Sequence, residues 1–162
     1  VTAEDVLKAP KWPEEFPFDE QDFKRYDESN DGIFYSQPRL VFHIDDPAVK
    51  ALTKYYSKNL PVGGDVLDIC SSWVSHFPKD WQHGKRVGLG MNDYELSKNE
   101  QLEEYIVKDL NIEPKFPFPA ESFDAVTCVV SVDYLSKPIE VFKEIRRVLR
   151  PGGKVIMSMS NR

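Results

Sequence analysis

The sequence predicts an α/β fold in which helices cover both faces of a mostly parallel sheet. Short apolar runs alternate with segments of helical period from residue 46 onward, which is the pattern of a parallel sheet built by right-handed crossovers. The run from Val66 to Cys70 is entered from a Pro-Val-Gly-Gly turn and opens onto small residues, as a buried strand does. Ligands of such sheets bind at the carboxyl ends of the strands, so we expect the functional site there.

Length and charge restrict the classes of protein that fit. A chain of 162 residues is long enough for one domain with a sizeable core. Its net charge of −6 disfavours non-specific nucleic-acid binding, which relies on Lys and Arg to neutralise phosphates. No run of about 18 apolar residues occurs, so we expect neither a membrane span nor a membrane partner. The first residues are unlike a signal peptide, and a chain that starts at Val1 is expected to be a processed form or a piece.

Cysteine and histidine are sparse. Cys70 and Cys128 both fall in predicted strands, which favours two buried free thiols in a reducing compartment over a disulfide. Together with three scattered histidines they lack the spacing of metal ligands, so no metal site is predicted.

Residues 1–45 form a predicted acidic, aromatic arm, and residues 46–162 form the expected sandwich domain. The arm interleaves several aromatic side chains with prolines and acids. Because so much aromatic surface disfavours a fully solvated arm, we expect it to lie on the domain. It can serve there as a lid over a pocket or as a surface wrap, and we favour the wrap.

The elements of the domain follow in order. Asp46 is expected to cap a helix that carries Pro47 at its first position and ends near Asn59. A tight turn at residues 71–72 is expected to lead the first strand into a short helix or loop, and Asp93 is expected to cap a helix that includes Leu96 and Leu102. Pro138 opens an amphipathic helix that residues 151–153 stop. The remaining strands are predicted at residues 86–89, 105–107, 123–130 and 154–159.

Three motifs stand out in the domain, namely Val66 to Asp68 before a small-residue loop, Phe116 to Asp124, and Glu144 to Val155. They resemble motifs of the class I S-adenosylmethionine (AdoMet)-dependent methyltransferases, most closely the branch called methyltransferase type 11. The resemblance covers about residues 60–160 and implies a three-layer Rossmann-like sandwich. That family's sheet has seven strands, and we expect this chain to be truncated after the fifth.

Three further stretches, Phe34 to Arg39, His43 to Asp46 and Ser71 to His76, resemble an uncharacterised methyltransferase-like group of photosynthetic organisms and bacteria. That resemblance and the thiols imply the cytoplasm or the chloroplast stroma. The truncated sheet would leave the apolar fifth strand uncovered, and we expect a homodimer to form through it.

The resemblance implies S-adenosyl-L-methionine as cofactor, and each position has a physical reason. Asp68 would meet the ammonium group, and the turn after it would offer backbone N–H groups to the carboxylate. The family's glycines in this turn are replaced by Cys70, Ser72 and Val74, and its ribose-binding acid is replaced by Gly90. Asn92, Asp93 or Glu95 can substitute for that acid, and Asp109 matches the residue that accepts from the adenine amino group. The predicted cofactor-binding residues are Asp68, Cys70, Ser71, Ser72, Gly90, Met91, Asn92, Asp109, Leu110 and Ser131.

Catalytic residues are not assigned by the sequence, because methyl transfer needs in-line placement more than it needs chemical groups. His76 and Tyr134 are the candidates near the methyl group, and a base is required only for a protonated nucleophile. Tyr35 and Arg39 are expected to cover the pocket from the amino-terminal side. Trp73 either walls the pocket or packs the segment that follows it.

The function that these residues favour is transfer of a methyl group from AdoMet to an unidentified small-molecule acceptor. The alternative is a catalytically inactive methyltransferase-like module for binding or scaffolding, which the absent glycines and the absent ribose acid motivate. A dinucleotide-dependent oxidoreductase is disfavoured because no Gly-x-Gly-x-x-Gly follows the first strand.

Overall fold

The computed structural model describes residue 5 and residues 7–159 of the chain. Its strands are β1 (Val66–Ile69), β2 (Arg86–Gly90), β3 (Glu104–Val107), β4 (Phe123–Val129) and β5 (Leu149–Ser158). They form one sheet in the order β3-β2-β1-β4-β5, and each neighbouring pair is parallel. The predicted α/β class is therefore confirmed, and these five strands are all parallel.

Four helices lie between residues 31 and 148. They are α1 (Asp31–Phe34), α2 (Asp46–Asn59), α3 (Asp93–Ser97) and α4 (Pro138–Val148), and a 3-10 turn spans Val132–Tyr134. Among the described residues, no helix is long and apolar enough to cross a membrane.

Two apolar clusters place the helices on opposite faces of the sheet. On one face α4 packs its buried stripe against alternate residues of the central strands, including Leu67 and Ile69. On the other face Leu52 and Tyr56 of α2 pack with Val66 and their neighbours. Burying each large apolar side chain contributes about 1.5–3 kcal/mol, so both layers stabilise the sheet. The result is the predicted three-layer sandwich.

Strand and helix do not alternate strictly, because the segment expected to be a short helix or loop after β1 is a loop, and so is the segment before β4. Residues 70–85, between β1 and β2, contain turns and bends but no helix, and residues 108–122, between β3 and β4, are likewise irregular. In the first of these, Pro78 lacks the N–H that a helix interior needs, and serines favour turns. The second contains Pro114, Pro117 and Pro119, which exclude a helix for the same reason.

Several element boundaries also differ from the sequence prediction. The cap of α2 is Asp45, whose side chain accepts from the Ala48 N–H, and the cap of α3 is Asn92 rather than Asp93. Because α3 ends at residue 97, Leu102 lies beyond it. β5 begins directly after α4, and its pairing with β4 shifts register between Phe123 and Ala125 before continuing at residue 154. The predicted strand is therefore the second half of a longer, interrupted one.

Two of the three family-like motifs hold the scaffold together. Glu144 accepts the backbone N–H of Phe116 at 2.8 Å, and Arg147 donates to the carbonyls of Phe116 and Phe118 at 3.1 and 2.8 Å. Arg150 bridges Asp65 and Asp124 at 3.0 and 2.7 Å. These contacts fasten the irregular segment before β4 to α4, which keeps β4 in position beside β1.

Candidate functional site

A cavity of about 290 Å³ opens at the carboxyl ends of β1, β2, β3 and β4. All ten residues predicted to bind a cofactor line it, and so do both catalytic candidates, His76 and Tyr134. The volume lies near the lower end of the range for ligand pockets, about 300–1,000 Å³. Residues predicted from the segments after four strands therefore share one cavity, as a parallel sheet requires.

Asp68 is the most buried carboxylate of this cavity. It is 2% exposed, and both of its oxygens accept hydrogen bonds from hydroxyl groups. Ser71 and Ser75 donate to Oδ2 at 2.7 Å, and Thr127 donates to Oδ1 at 2.6 Å. Burial raises the pKa of Asp68 above its usual value, and the three hydroxyl groups oppose that rise. The carboxylate thus fixes the turn after β1 to β4.

The hydroxyl partners of Asp68 were missed by the sequence analysis. Thr127 is the one hydroxyl-bearing side chain of β4, a strand that is otherwise mostly apolar, and this is a signal that a sequence can supply. Ser75 is fully buried although its segment has no regular structure. Neither position could be assigned to Asp68 without the parallel pairing of β1 and β4.

The turn after β1 has a strained backbone. Cys70 has a φ of 51°, and two other residues of the cavity wall, His76 and Val130, have φ values of 60° and 43°. Non-glycine residues adopt such values at a cost of about 1–3 kcal/mol, and they concentrate at functional sites. Cys70 therefore takes a backbone conformation that favours glycine, at one of the positions where the related family carries glycine.

The backbone around Gly90 leaves no room for a side chain at the position where the sequence lacks the expected ribose-binding acid. The turn after β1 crosses the end of β2, where the Ser71 N–H donates to the Leu89 carbonyl at 2.9 Å. A Cβ atom at Gly90 would lie 2.1 Å from the backbone oxygen of Ser71, which is far inside van der Waals contact. A side chain at this position is therefore excluded unless the turn moves.

Asn92 and Glu95 bring polar groups to the same end of β2. Asn92 caps α3 by accepting from the Glu95 N–H at 3.0 Å, and its amide donates to the Tyr35 carbonyl at 2.6 Å. Glu95 is 6% exposed and accepts from the Ser72 hydroxyl at 2.6 Å and the Arg39 N–H at 2.7 Å. Both line the cavity, whereas Asp93 does not. Of the three predicted substitutes for the acid, two are therefore in place.

The loop after β3 forms the opposite wall. Asp109 accepts from the Asn111 N–H at 2.8 Å, and Leu110 is buried beside it. The Asn111 side chain donates to Asp31 at 2.8 Å and to the Tyr134 carbonyl at 2.9 Å, and it accepts from the Ser136 N–H at 2.8 Å. Asn111 thus joins three loops, a role that sequence analysis did not assign.

The arm lines the cavity as well as lying on the domain. Tyr35 and Arg39 both contribute to the wall, as the sequence predicted, and the Arg39 guanidinium lies 4.0 Å from the centre of the Phe34 ring. Trp73 donates its indole N–H to the Val41 carbonyl at 3.0 Å, and its ring lies 4.8 Å from that of Phe42. Part of the arm therefore lines the pocket instead of only wrapping the surface, which was the interpretation favoured from the sequence, and Trp73 belongs to the pocket wall.

Burial shifts the pKa values of two side chains in the cavity wall, His76 and Tyr35. His76 is 8% exposed, and burial lowers the pKa of its imidazole, which favours the neutral form. Burial, with smaller effects from neighbouring groups, raises the pKa of Tyr35 to about 12, so this phenol keeps its proton. Tyr134 is 53% exposed at the rim of the cavity. A neutral histidine is therefore the one candidate base buried within the wall.

Both thiols are free, as predicted, and Cys128 is buried, but Cys70 is only half-buried where burial was also expected. A hydrogen bond with Cys70 and burial together raise the pKa of Cys128 well above its usual value. The Cys128 thiol is therefore held neutral.

Comparison with known proteins places this chain among methyltransferases. A profile of the family described as "Methyltransferase domain" matches residues 67–157. Demethylmenaquinone methyltransferase of Bacillus licheniformis is 28% identical over 144 residues, which are 85% of this chain and 58% of the relative. This chain therefore matches less than two thirds of that relative's length.

Solved structures show the same fold. A protein of Pyrococcus horikoshii is 26% identical with a TM-score of 0.55, over 70% of this chain and 54% of that one. A "SAM dependent methyltransferase" of Aquifex aeolicus is 16% identical with a TM-score of 0.52, over 90% and 77%. With the profile match spanning more than half of its length, the chain belongs to the class I AdoMet-dependent methyltransferase family.

Proposed function

We propose that the cavity binds AdoMet and that the protein transfers its methyl group to a small-molecule acceptor. The observation that carries this proposal is the convergence of all ten predicted cofactor residues on a single cavity at the carboxyl ends of β1, β2, β3 and β4. When bound, AdoMet supplies an electrophilic methyl group on a sulfonium. The chain itself has to bind, orient and shield the two reactants.

The donor set of the cavity fits AdoMet. Four carboxylates line it, and one of them, Asp31, is already paired with Arg25. The other three are Asp68, Glu95 and Asp109, and AdoMet offers an ammonium group, two ribose hydroxyls and an adenine amino group as donors. Asp109 would hold the adenine end, with Leu110 as the apolar wall. Arg39 and Lys108 are both cations of the wall, and Lys108 is already paired with Glu113 at 2.6 Å. Arg39 is therefore the one we expect to pair with the carboxylate of the ligand.

Glu95 takes the place of the missing ribose acid in this proposal. Its side chain is already oriented by Ser72 and by the Arg39 backbone, and a carboxylate has further lone pairs for a diol. Asn92 lies on the same turn and adds a second polar group. Asp68 would act on the ammonium group chiefly through the hydroxyls that it orients, because those hydroxyls occupy both of its oxygens.

Catalysis would come mainly from placement. Aligning nucleophile, methyl group and sulfur within a closed cavity can supply about 7–11 kcal/mol of a barrier without any acid or base. Where the nucleophile carries a proton, the neutral His76 imidazole is the group that can accept it.

The experiment that tests binding is calorimetric titration with AdoMet and with S-adenosylhomocysteine. We expect both to bind, and Glu95→Ala to weaken binding tenfold or more, which corresponds to about 1.4 kcal/mol. Asp93→Ala is the matched control, because this neighbouring acid lies outside the cavity. Absence of binding by the unaltered chain, or equal loss in both variants, would contradict the proposal.

A catalytically inactive binding module is the second candidate function. The observation that favours it is that Gly90 stands at the position of the family's ribose-binding acid and leaves no room for a side chain. Transfer of a radiolabelled methyl group from AdoMet into a metabolite extract separates the two functions. Cofactor binding without any labelled product would support the binding module instead of the enzyme.

A further inference from the structure

Three adjoining cavities run from the candidate site to the outer face of α4. The site cavity shares five wall residues with a second cavity of about 650 Å³, among them Tyr35, Tyr134 and Leu135. This second cavity shares Phe23 and Pro138 with a third of about 490 Å³. The walls are therefore continuous from the carboxyl ends of the strands to the surface of α4.

The third cavity is an apolar groove between the arm and α4. Its floor and walls are Phe16, Phe18, Phe23, Pro138, Ile139 and Phe142. The Phe16 and Phe23 rings are stacked with centres 6.1 Å apart, and the Phe18 ring meets Phe16 edge-on at 5.5 Å. Lys143 and Arg146 complete the lining and can lay their aliphatic stems along it.

This groove is open although it is apolar. Phe16 and Phe18 are 57% and 55% exposed, and Phe142 is 43% exposed. A cluster of exposed aromatic side chains is typical of a ligand-binding or interaction surface, because the contact of apolar surface with water is unfavourable. Because the groove is continuous with the site cavity, we infer that the groove holds one part of a ligand whose other part reaches the site.

The second cavity differs in character from the groove. Its wall combines aromatic rings with charged groups, including the ion pair between Arg25 and Asp31 at 2.6 Å. It lies next to the cofactor cavity at Tyr134, where the sequence predicted the methyl-donor end. A polar or aromatic head group suits this space, and an alkyl chain attached to it would extend past Phe23 into the groove.

We propose that the methyl acceptor is an amphiphile, with a compact head group in the second cavity and an alkyl chain in the groove between the arm and α4. This inference rests on the proposed methyl transfer and narrows the class of acceptor. Each methylene that leaves water for an apolar groove strengthens binding about fourfold. Affinity therefore rises with chain length until the groove is filled.

The test uses 4-alkylphenols with two to eight chain carbons as probes, titrated calorimetrically against the full chain saturated with S-adenosylhomocysteine. We expect a threefold to fourfold gain in affinity per methylene over at least three carbons. Phe142→Glu and Phe18→Glu, on the two walls of the groove, are expected to remove the gain. Val62→Glu is the matched control, because Val62 is 78% exposed and lines none of the three cavities.

A flat dependence on chain length in the unaltered chain overturns the inference, as does an unchanged gain in both groove variants. If light scattering shows that Phe142→Glu turns a dimer into a monomer while the chain-length gain persists, a second copy covers the groove and the inference is wrong. Failure of the proposed function gives a different result, because S-adenosylhomocysteine would then not bind. The same series, titrated without it, would still decide whether the groove takes an alkyl chain.

Discussion

Asp68 is held by protein hydroxyls where the sequence suggested a partner for the cofactor's ammonium group. A carboxylate that is 2% exposed needs hydrogen bonds to remain charged, and Ser71, Ser75 and Thr127 provide them. Its first role is therefore to fix the turn that forms the cavity wall. Any contribution to cofactor binding depends on that turn being in place.

Removing the Asp68 carboxylate should destabilise the turn after β1, and any effect on cofactor binding should follow from that loss of stability. Asp68→Ala leaves three buried hydroxyl groups without their acceptor, and an unsatisfied buried group costs about 1–3 kcal/mol. We expect Asp68→Ala to lower the free energy of unfolding by at least about 2 kcal/mol in urea denaturation at neutral pH. Asp68→Asn should lose less, since hydroxyl groups can turn to accept from the new amide. Equal stability of Asp68→Ala and the unaltered chain would contradict this role.

The Asp68 carboxyl group should also make the stability of the folded protein depend on pH. Burial raises the pKa of Asp68 in the folded state above its usual value of 3.8, so the folded protein holds this proton more tightly than the unfolded chain does. The stability that protonation contributes is full below that usual value and is lost as pH rises through the folded-state pKa. Relative to Asp68→Asn, which does not titrate, the unaltered chain should therefore become less stable as pH rises from 4 toward 8.

At the scale of elements, the arm is fastened over the cavity by three hydrogen bonds to the segments that follow β2 and β3. Asn92 holds the Tyr35 carbonyl, Glu95 holds the Arg39 N–H, and Asn111 holds Asp31. Each of these polar side chains follows the end of β2 or β3. The carboxyl edge of the sheet therefore serves both as the cavity wall and as the anchor of its cover.

Asn111→Ala should loosen this cover without disturbing the sheet. It removes the hydrogen bonds to Asp31 and to the Tyr134 carbonyl, each worth about 0.5–1.5 kcal/mol. We expect trypsin to cleave after Lys24 and Arg25 about fivefold faster or more, because cleavage follows the population of the open form.

The control for this experiment is Asn59→Ala. The Asn59 side chain donates only to the Tyr55 carbonyl within α2, far along the chain from the arm. Its cleavage rate should match that of the unaltered chain. Identical rates for the two variants would show that Asn111 does not hold the arm.

At the scale of the whole molecule, β5 lies at the end of the strand order, and among the described residues its one partner strand is β4. Val155 on this strand is 39% exposed. An edge strand with apolar side chains and unpaired backbone groups favours pairing with another chain. We propose that two copies associate through β5.

Val155→Lys should prevent that association, since a charge on an edge strand opposes pairing. We expect light scattering over a concentration series to show dimers of the unaltered chain and monomers of the variant. Val62→Lys, which places the same charge on an exposed turn, should remain dimeric. A monomeric unaltered chain at high concentration would refute the proposal.

Much of the fold could be predicted because its signals are local. The buried run before Cys70, the helix that starts near Pro47 and the amphipathic helix at Pro138 each carry a period or a cap within a few residues. The sequence leaves the segment after β1 open between a short helix and a loop, because small residues permit a helix start but also permit the strained turn that Cys70 adopts. Pro78 and the serines of that segment favour the loop that the structure has.

The sequence by itself determined the parallel sheet, the family and the set of residues gathered at the carboxyl ends of the strands, because strand order and side-chain alternation bring those ends together. Only the tertiary structure decided which polar groups satisfy one another. Thr127 lies 59 residues from the carboxylate it bonds, and Arg39 lies 56 residues from Glu95. Hydrogen bonds over such separations depend on the packing of the sheet and the path of the arm, which no local pattern encodes.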